Sequence, residues 1–372
     1  MRELVGLGVE IHCALPKGGP LFESYALAGI AVHSAELDFP VRRPKRYRFV
    51  LADMQQLVSE VAPDIIHSHF VGTTITMRLA LRKRHHIPRI FQIPGPLHLE
   101  HAFFRQAEIA TSEEADYWIG SCKRTCQLYR DAGIAPDRVF LSYYGTDPEQ
   151  FCHHDSGRLR KELGLSSTAR LVGMVAYLYP PKRFLGQKRG LKGHEDLIDA
   201  IALCLKANLN IVGVLVGGAW NGATSYEDQV REYAIERCGR NVILLGTRRD
   251  VPEIYPEFDV VVHPSHSENV GGAVESLLAG RPTIASAVGG LPDLVKPGET
   301  GWLVPPRRPD VLAKAILEVL SDPLGASTRA KRGQAMARTM FDVKRTGQQI
   351  LHIYQHLMDR KSRWGSAHSK GI

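Results

Sequence analysis

A chain of 372 residues is long enough for two ordinary domains with a large buried core. Its 44% hydrophobic and 23% charged residues are those of a soluble globular protein, and no apolar run reaches the roughly 18 residues of a membrane span. The formal charge of +8 comes with no helix-turn-helix, zinc-finger or RNA-binding aromatic signature, so nucleic acid is not the expected partner.

Six scattered cysteines are too few for a disulfide framework, and no signal-peptide pattern precedes the first apolar segment. A cytoplasmic protein is expected.

Taken in order, Met1 to Gly8 read as the tail of a helix and Val9 to Leu15 as the strand after it. Ile65 to His69 end a strand that follows the turn signal Ala62-Pro63-Asp64. Thr73 to Arg84 have apolar positions at helical spacing, and Arg89 to Ile93 read as a strand. Glu113 to Gly120 and Val139 to Tyr144 continue the alternation, as do Leu171 to Ala176, residues 211 to 217 and Val242 to Gly246. Pro309 to Leu320 and about Val343 to Met358 read as helices, and the polar end from Lys361 as a frayed tail. Strands alternating with helices predict doubly wound α/β architecture.

Basic clusters stand at Arg42 to Arg48, at Arg82-Lys83-Arg84, and in the insertion from Lys182 to Lys192. They suit solvated faces, an anionic membrane surface or a diphosphate ligand. The pairs His67 and His69, His85 and His86, and His153 and His154 have no Cys-x-x-Cys or His-Glu-x-x-His beside them, so structural or surface roles are expected and no metal. Cys122 and Cys126 read as core thiols. Hydrolase and P-loop motifs are absent.

Residues 259 to 305 carry the most function. Asp259 to Pro264 read as a buried strand, followed by a polar turn with Ser265, Ser267, Glu268 and Asn269. A helix from Gly271 to Ala279 stops at Gly280 and Pro282; Thr283 to Ala287 form the next strand, and Gly289-Gly290 a turn before a helix at Pro292-Asp293. This is a βαβ unit with a ligand loop at the strand's carboxyl end. The amides of Gly271, Gly272 and Ala273 lie at a helix N-terminus, where phosphate is favoured. Glu268 and Glu275 are seven positions apart, near one helix face, and suit a neutral hydroxyl donor such as a sugar.

The segment resembles the C-terminal signature of the family 4 retaining glycosyltransferases. That signature has a serine-rich turn, two glutamates, a small-Gly-x-Pro stop and a Gly-Gly turn. Here these are Ser265-His266-Ser267-Glu268, Glu275, Ala279-Gly280-Arg281-Pro282 and Gly289-Gly290, with six residues between the glutamates where the family has seven. The resemblance implies a GT-B fold: two doubly wound Rossmann-like domains facing a cleft, with the last helix crossing back to the first.

Tyr143 to Asp147 resemble the family's interdomain Pro-Asn-Gly-Val-Asp at Gly145 and Asp147, which puts the boundary at about residue 150. Residues 1–150 would then be the acceptor-side domain, 151–342 the nucleotide-sugar domain, and 343–372 the crossover helix and tail. In the family a first strand, a Gly-rich loop and most of a helix precede what is read at residues 1 to 15. The first domain is therefore expected to be incomplete at its start.

Carried over residue by residue, Glu268 would face the donor sugar and Glu275 the nucleotide ribose. Lys192 would grip the diphosphate. The family's partnering arginine falls at Tyr177, and Lys182, Arg183, Lys188 or Arg189 of the insertion would replace it. Asn269, Gly271, Gly272 and Ala273 would line the donor, Gly218 and Thr247 the base, and His98 would stand near the donor sugar, with His101 competing for that place.

The resemblance implies a metal-independent retaining transferase using a nucleotide-diphosphate sugar and a glycan, lipid-linked or small-molecule acceptor. Polysaccharide or cell-envelope glycan synthesis is the expected context, with the protein in the cytoplasm or peripheral on the inner face of the membrane. No Asp-x-Asp metal handle occurs. The rival readings are a nucleotide-sugar epimerase of the same fold and an inactive sugar-nucleotide-binding or scaffold homologue.

Overall fold

The computed structural model describes residues 1–16, 21–37, 44–82, 86–152, 154–183, 186–207 and 210–368. Arg42, Arg43, Lys83, Arg84, His85 and His153, named above, lie outside the described residues. The chain divides into two compact units: Met1–Gly145 with Val343–Ile372, and Thr146–Asp342.

The division falls slightly before residue 150. Thr146 bridges Asp342 and its N–H donates to Phe341 O at 2.9 Å, while the buried Phe151 ring meets Tyr255 edge-on at 6.2 Å. These contacts bring residues 146 to 150 into the second unit.

In the first unit β1 (His12–Leu15) pairs with β2 (Ala31–Ser34). A separate four-stranded sheet runs in the order β3 (Ile66–Ser68), β4 (Arg89–Ile93), β5 (Asp116–Gly120), β6 (Val139–Leu141). All its ladders are parallel. Strands β4 and β5 are buried throughout, as parallel strands covered on both faces must be. The helix Val343–His368 lays Ile350, Ile353 and Leu357 against Ile90 and Ile119 of that sheet and against Leu4 of the helix Arg2–Gly6.

The second unit carries one parallel sheet of six strands, in the order β12 (Trp302–Val304), β11 (Thr283–Ser286), β10 (Val260–His263), β7 (Arg170–Val175), β8 (Ile211–Val216), β9 (Val242–Leu244). Its core joins Val172, Met174, Leu215, Val260 and Val262 to Leu197 and Ile201 of the helix His194–Leu205 and to Leu312 and Ile316 of the helix Pro309–Ser321. Strand order reverses between β7 and β10. In open parallel sheets the crevice beyond the carboxyl ends at such a reversal is where ligands sit.

Candidate functional site

The loops leaving β7 and β10 meet at the reversal. The first carries Lys192, just ahead of the helix His194–Leu205, and the second carries Glu268, just ahead of the helix Gly271–Leu278. The Lys192 ammonium lies 2.5 Å from Glu268 Oε2, with the side chains 19% and 15% exposed. Glu268 also accepts from Ser265 Oγ at 3.0 Å and from the Asn269 N–H at 3.1 Å. Burial pushes this carboxyl upward, but Lys192 and the two hydrogen bonds outweigh it and hold it below the ordinary glutamate value. Glu268 is therefore an anion at neutral pH, and Lys192 is its counter-charge.

Two glycines make the approach of these loops possible. A side chain on Gly193, at φ +75°, would come within 2.1 Å of Pro264 O. Gly289, at φ +54°, packs on the Glu268 carbonyl, and the Gly290 N–H donates to Asn269 O at 3.1 Å. The Gly289-Gly290 turn thus seats the backbone of the Glu268 turn.

The helix Gly271–Leu278 starts without a side-chain cap. A Cβ on Gly271 would meet open space, so its first turn can be approached closely. Gly272 is tighter: a Cβ there would come within 3.1 Å of the buried His263 ring. His263 donates to or accepts from Ser276 Oγ at 3.0 Å, and burial lowers its pKa to about 4, so it is a neutral backing group. Asn269, Gly271, Gly272 and Ala273 follow Glu268 directly and share this corner.

Glu275 lies further along, within the helix Gly271–Leu278. It accepts a 2.9 Å hydrogen bond from Tyr255, which is fully buried, and burial raises its pKa despite that bond. Gly218 and Thr247 come together at the carboxyl ends of β8 and β9, where a Cβ on Gly218 would reach 2.6 Å from Thr247 Oγ1.

Within the insertion, Lys182, Arg183 and Lys188 are exposed. Arg189 instead bonds Asp196 at 2.5 Å and Asp199 at 2.7 Å. It fastens the insertion to the helix His194–Leu205, an arrangement that two aspartates three positions apart on one helix face could have signalled. Tyr177 is 44% exposed and meets Trp220 edge-on at 5.5 Å, and Trp220 stacks on Tyr179 at 4.7 Å. Lys192 lies 5.5 Å over the Tyr179 ring. Tyr179 thus flanks the lysine, and Trp220 joins it to Tyr177, the position where the resemblance sets an arginine; the sequence carries no signal for Trp220.

His98 belongs to the first unit, with Nε2 3.3 Å from the Tyr129 hydroxyl and its ring beside Phe91. Burial lowers its pKa to about 4, so it is neutral at physiological pH. His67 and His69 stack at 4.7 Å and bond the hydroxyls of Tyr354 and Tyr144. Among the described residues no group of three His, Cys, Asp or Glu could hold a metal ion. Cys122 and Cys126 are buried, bonding Thr125 and the Phe140 carbonyl.

Residues 1–150 match the family model described as Glycosyltransferase Family 4, and residues 183–338 the one described as Glycosyl transferases group 1. The D-inositol 3-phosphate glycosyltransferase of Mycobacteroides abscessus is 31% identical over 211 residues, which cover 56% of this chain and 45% of that protein. Its namesake from Acidothermus cellulolyticus is 27% identical over 312 residues, 78% of this chain and 67% of that protein. The match thus spans about half the length of the first of these relatives. Among solved structures, Anabaena HepE in complex with UDP-glucose superposes with a TM-score of 0.78 at 25% identity, covering 93% of this chain and 91% of that one. With one family model on each unit and a GT-B relative aligned over nearly its whole length, this chain belongs to the family 4-type, group 1 glycosyltransferases.

Proposed function

We propose that the protein is a retaining glycosyltransferase that moves a sugar from a nucleotide-diphosphate donor to an acceptor hydroxyl. The observation that carries this reading is the Lys192–Glu268 ion pair at the sheet reversal, beside an uncapped helix N-terminus. Lysine and helix amides suit the diphosphate, on which negative charge gathers as the glycosidic bond breaks. The Glu268 carboxylate suits a sugar hydroxyl. Attack from the face the diphosphate leaves, with the leaving phosphate taking the acceptor's proton, would retain the anomeric configuration. Within this chemistry no residue need bind a metal.

UDP-glucose is the first donor to test, since HepE was solved with it. Relatives named for D-inositol 3-phosphate favour a small phosphorylated polyol as acceptor; glycan and lipid-linked acceptors belong in the same panel. Release of UDP that depends on an acceptor, with a new α-linked product, is the expected result. Interconversion of the donor sugar without acceptor would show the epimerase instead, and binding without turnover the inactive homologue.

Lys192→Ala should raise the dissociation constant for UDP roughly 10- to 100-fold, the range of a lost charge-assisted hydrogen bond of about 1.5–3 kcal/mol. It also strips Glu268 of its counter-charge. In the unsubstituted protein the depressed pKa of Glu268 contributes stability above the unfolded carboxylate value, and this is lost as pH falls through the folded one. The stability gap between the two proteins should therefore be widest at neutral pH and narrow in acid. Calorimetry with UDP and thermal melts across pH measure both.

An anionic membrane surface remains part of the proposal. Lys45, Arg46, Arg48 and Phe49 are exposed around the start of the helix Tyr47–Val61, the last with its ring under the Arg48 guanidinium at 5.0 Å. Sedimentation with phosphatidylserine vesicles should exceed that with neutral ones at low salt and fall as salt rises. Equal sedimentation with both rejects the membrane role.

A further inference from the structure

Three contacts hold the Lys192 loop against the Glu268 turn without involving either residue. Asp196, 3% exposed in the first turn of the helix His194–Leu205, accepts from His266 Nε2 at 2.5 Å and from Arg189 at 2.5 Å. The His266 backbone N–H donates to Leu191 O at 2.8 Å. Gly193 lies against Pro264 O so closely that no side chain fits between them. Lys192 stands between two of these fixed points, Leu191 and Gly193. Glu268 follows two residues after His266.

Asp196 is held as a carboxylate. Burial pushes its pKa up, but His266 and Arg189 bring it below the ordinary value. Arg189 is steadied in turn by Asp199, which also accepts from Tyr233 at 2.7 Å and Arg237 at 3.0 Å. The clamp is thus anchored on two helices of the second unit and does not depend on the lysine or the glutamate.

We propose that Asp196 and His266 are positioning residues that set the spacing of Lys192 and Glu268 for the diphosphate sugar. The inference rests on the reading of this corner as the donor site. An ion pair between two loops has many geometries when the loops are loose, and productive binding needs one of them. Crossing from one loop to the other, the His266–Asp196 bond fixes the turn just before Glu268. A glutamine at position 266 can place its amide nitrogen near the imidazole Nε2 and donate the same bond; alanine cannot.

The test uses the full chain with UDP as the probe. His266→Ala should raise the UDP dissociation constant about tenfold, and His266→Gln should stay within about threefold of the unsubstituted protein. With a slow UDP-glucose turnover assay, the alanine variant should lose in both kcat and KM while the glutamine variant recovers most of each. If His266→Ala does not fold, Asp196→Asn carries the comparison: its amide keeps the shape but not the charge that holds Arg189 and His266, and its UDP affinity should fall likewise. Alanine and glutamine variants that bind UDP alike, whether as well as the unsubstituted chain or equally poorly, overturn the inference, as does unchanged affinity in Asp196→Asn. Lys192→Ala run alongside separates the two failures. If it too binds UDP normally, the donor-site reading is wrong; if it alone loses UDP, only the clamp is wrong.

Discussion

Glu268→Gln should lower transfer roughly 100-fold while leaving UDP affinity equal or tighter. The glutamine keeps the size of the side chain; its one amide oxygen can still accept from the Asn269 N–H while its NH2 donates to the Ser265 hydroxyl, so the turn should hold its shape. What is lost is the charge. A hydrogen bond from a donor-sugar hydroxyl to a carboxylate is worth about 1.5–3 kcal/mol, and one that strengthens as the glycosidic bond breaks lowers the barrier further. Removing a negative charge beside the diphosphate, and releasing Lys192 from its 2.5 Å partner, works the other way on nucleotide binding. The two effects separate in one experiment. Calorimetry with UDP reads the ground state, and acceptor-dependent turnover reads the transition state. Unchanged turnover would remove Glu268 from the chemistry, and a large loss of UDP affinity would show that it serves binding instead.

The parts of this site that could be read from sequence are those that lie close together along the chain. Glu268, Asn269 and the glycines of the next helix form one continuous stretch, and physical argument attaches a ligand to that pattern directly. Lys192 was found through resemblance, and the structure adds the contact that makes it a partner of Glu268. Arg189 shows the limit. As one of four cations in a basic insertion it looked available to phosphate, but Asp196 and Asp199 take it up. Which carboxylate captures a cation depends on how a loop folds back, and periodicity carries no information on that.

The fold shows the same contrast. Arg89–Ile93 and the strands through 170–175 and 260–263 were legible because buried parallel strands are short, apolar and bounded by turns. Val139 to Tyr144 ends early, at Leu141, because that residue pairs with Gly120, the last of β5; beyond it the Tyr143 carbonyl accepts from Thr346 instead. The helix Pro323–Met340 leaves no apolar pattern in the sequence. Its buried face is Ala326, Ala330, Gly333 and Ala337, a stripe at helical spacing made of residues too small to register as hydrophobic. Small residues are required there, because a Cβ on Gly333 would come within 2.6 Å of Leu277 in the neighbouring helix. A close helix contact erases the signal by which sequence reading finds helices.

The largest stability effect should come from a buried charged group in the first unit. Arg78 and Arg89 are both 1% exposed in the first unit, and both bind Asp116, at 3.0 Å and 2.7 Å. Arg78 also bonds Glu108, and Arg89 bonds Glu113 at 3.1 Å. The Glu113 N–H donates to the same Asp116 carboxylate at 2.7 Å. One aspartate thus joins the helix Val71–Ala80, strand β4 and the start of β5. Asp116→Asn keeps the volume but removes the carboxylate that the two buried guanidinium groups share, leaving Arg78 to Glu108 and Arg89 to the partly exposed Glu113, which should cost about 3–5 kcal/mol. The corresponding thermal midpoint would fall by on the order of 10 °C. Adding Arg89→Met to Asp116→Asn removes a cation whose bond to Asp116 is already lost, so the double variant should lose less than the sum of the two single losses. Strict additivity would show that Asp116 and Arg89 are energetically independent despite their 2.7 Å contact. Because Glu268 and Lys192 lie in the other unit, a surviving fraction of Asp116→Asn should bind UDP with unaltered affinity; a matching loss of affinity would mean that the two units do not hold their folds separately.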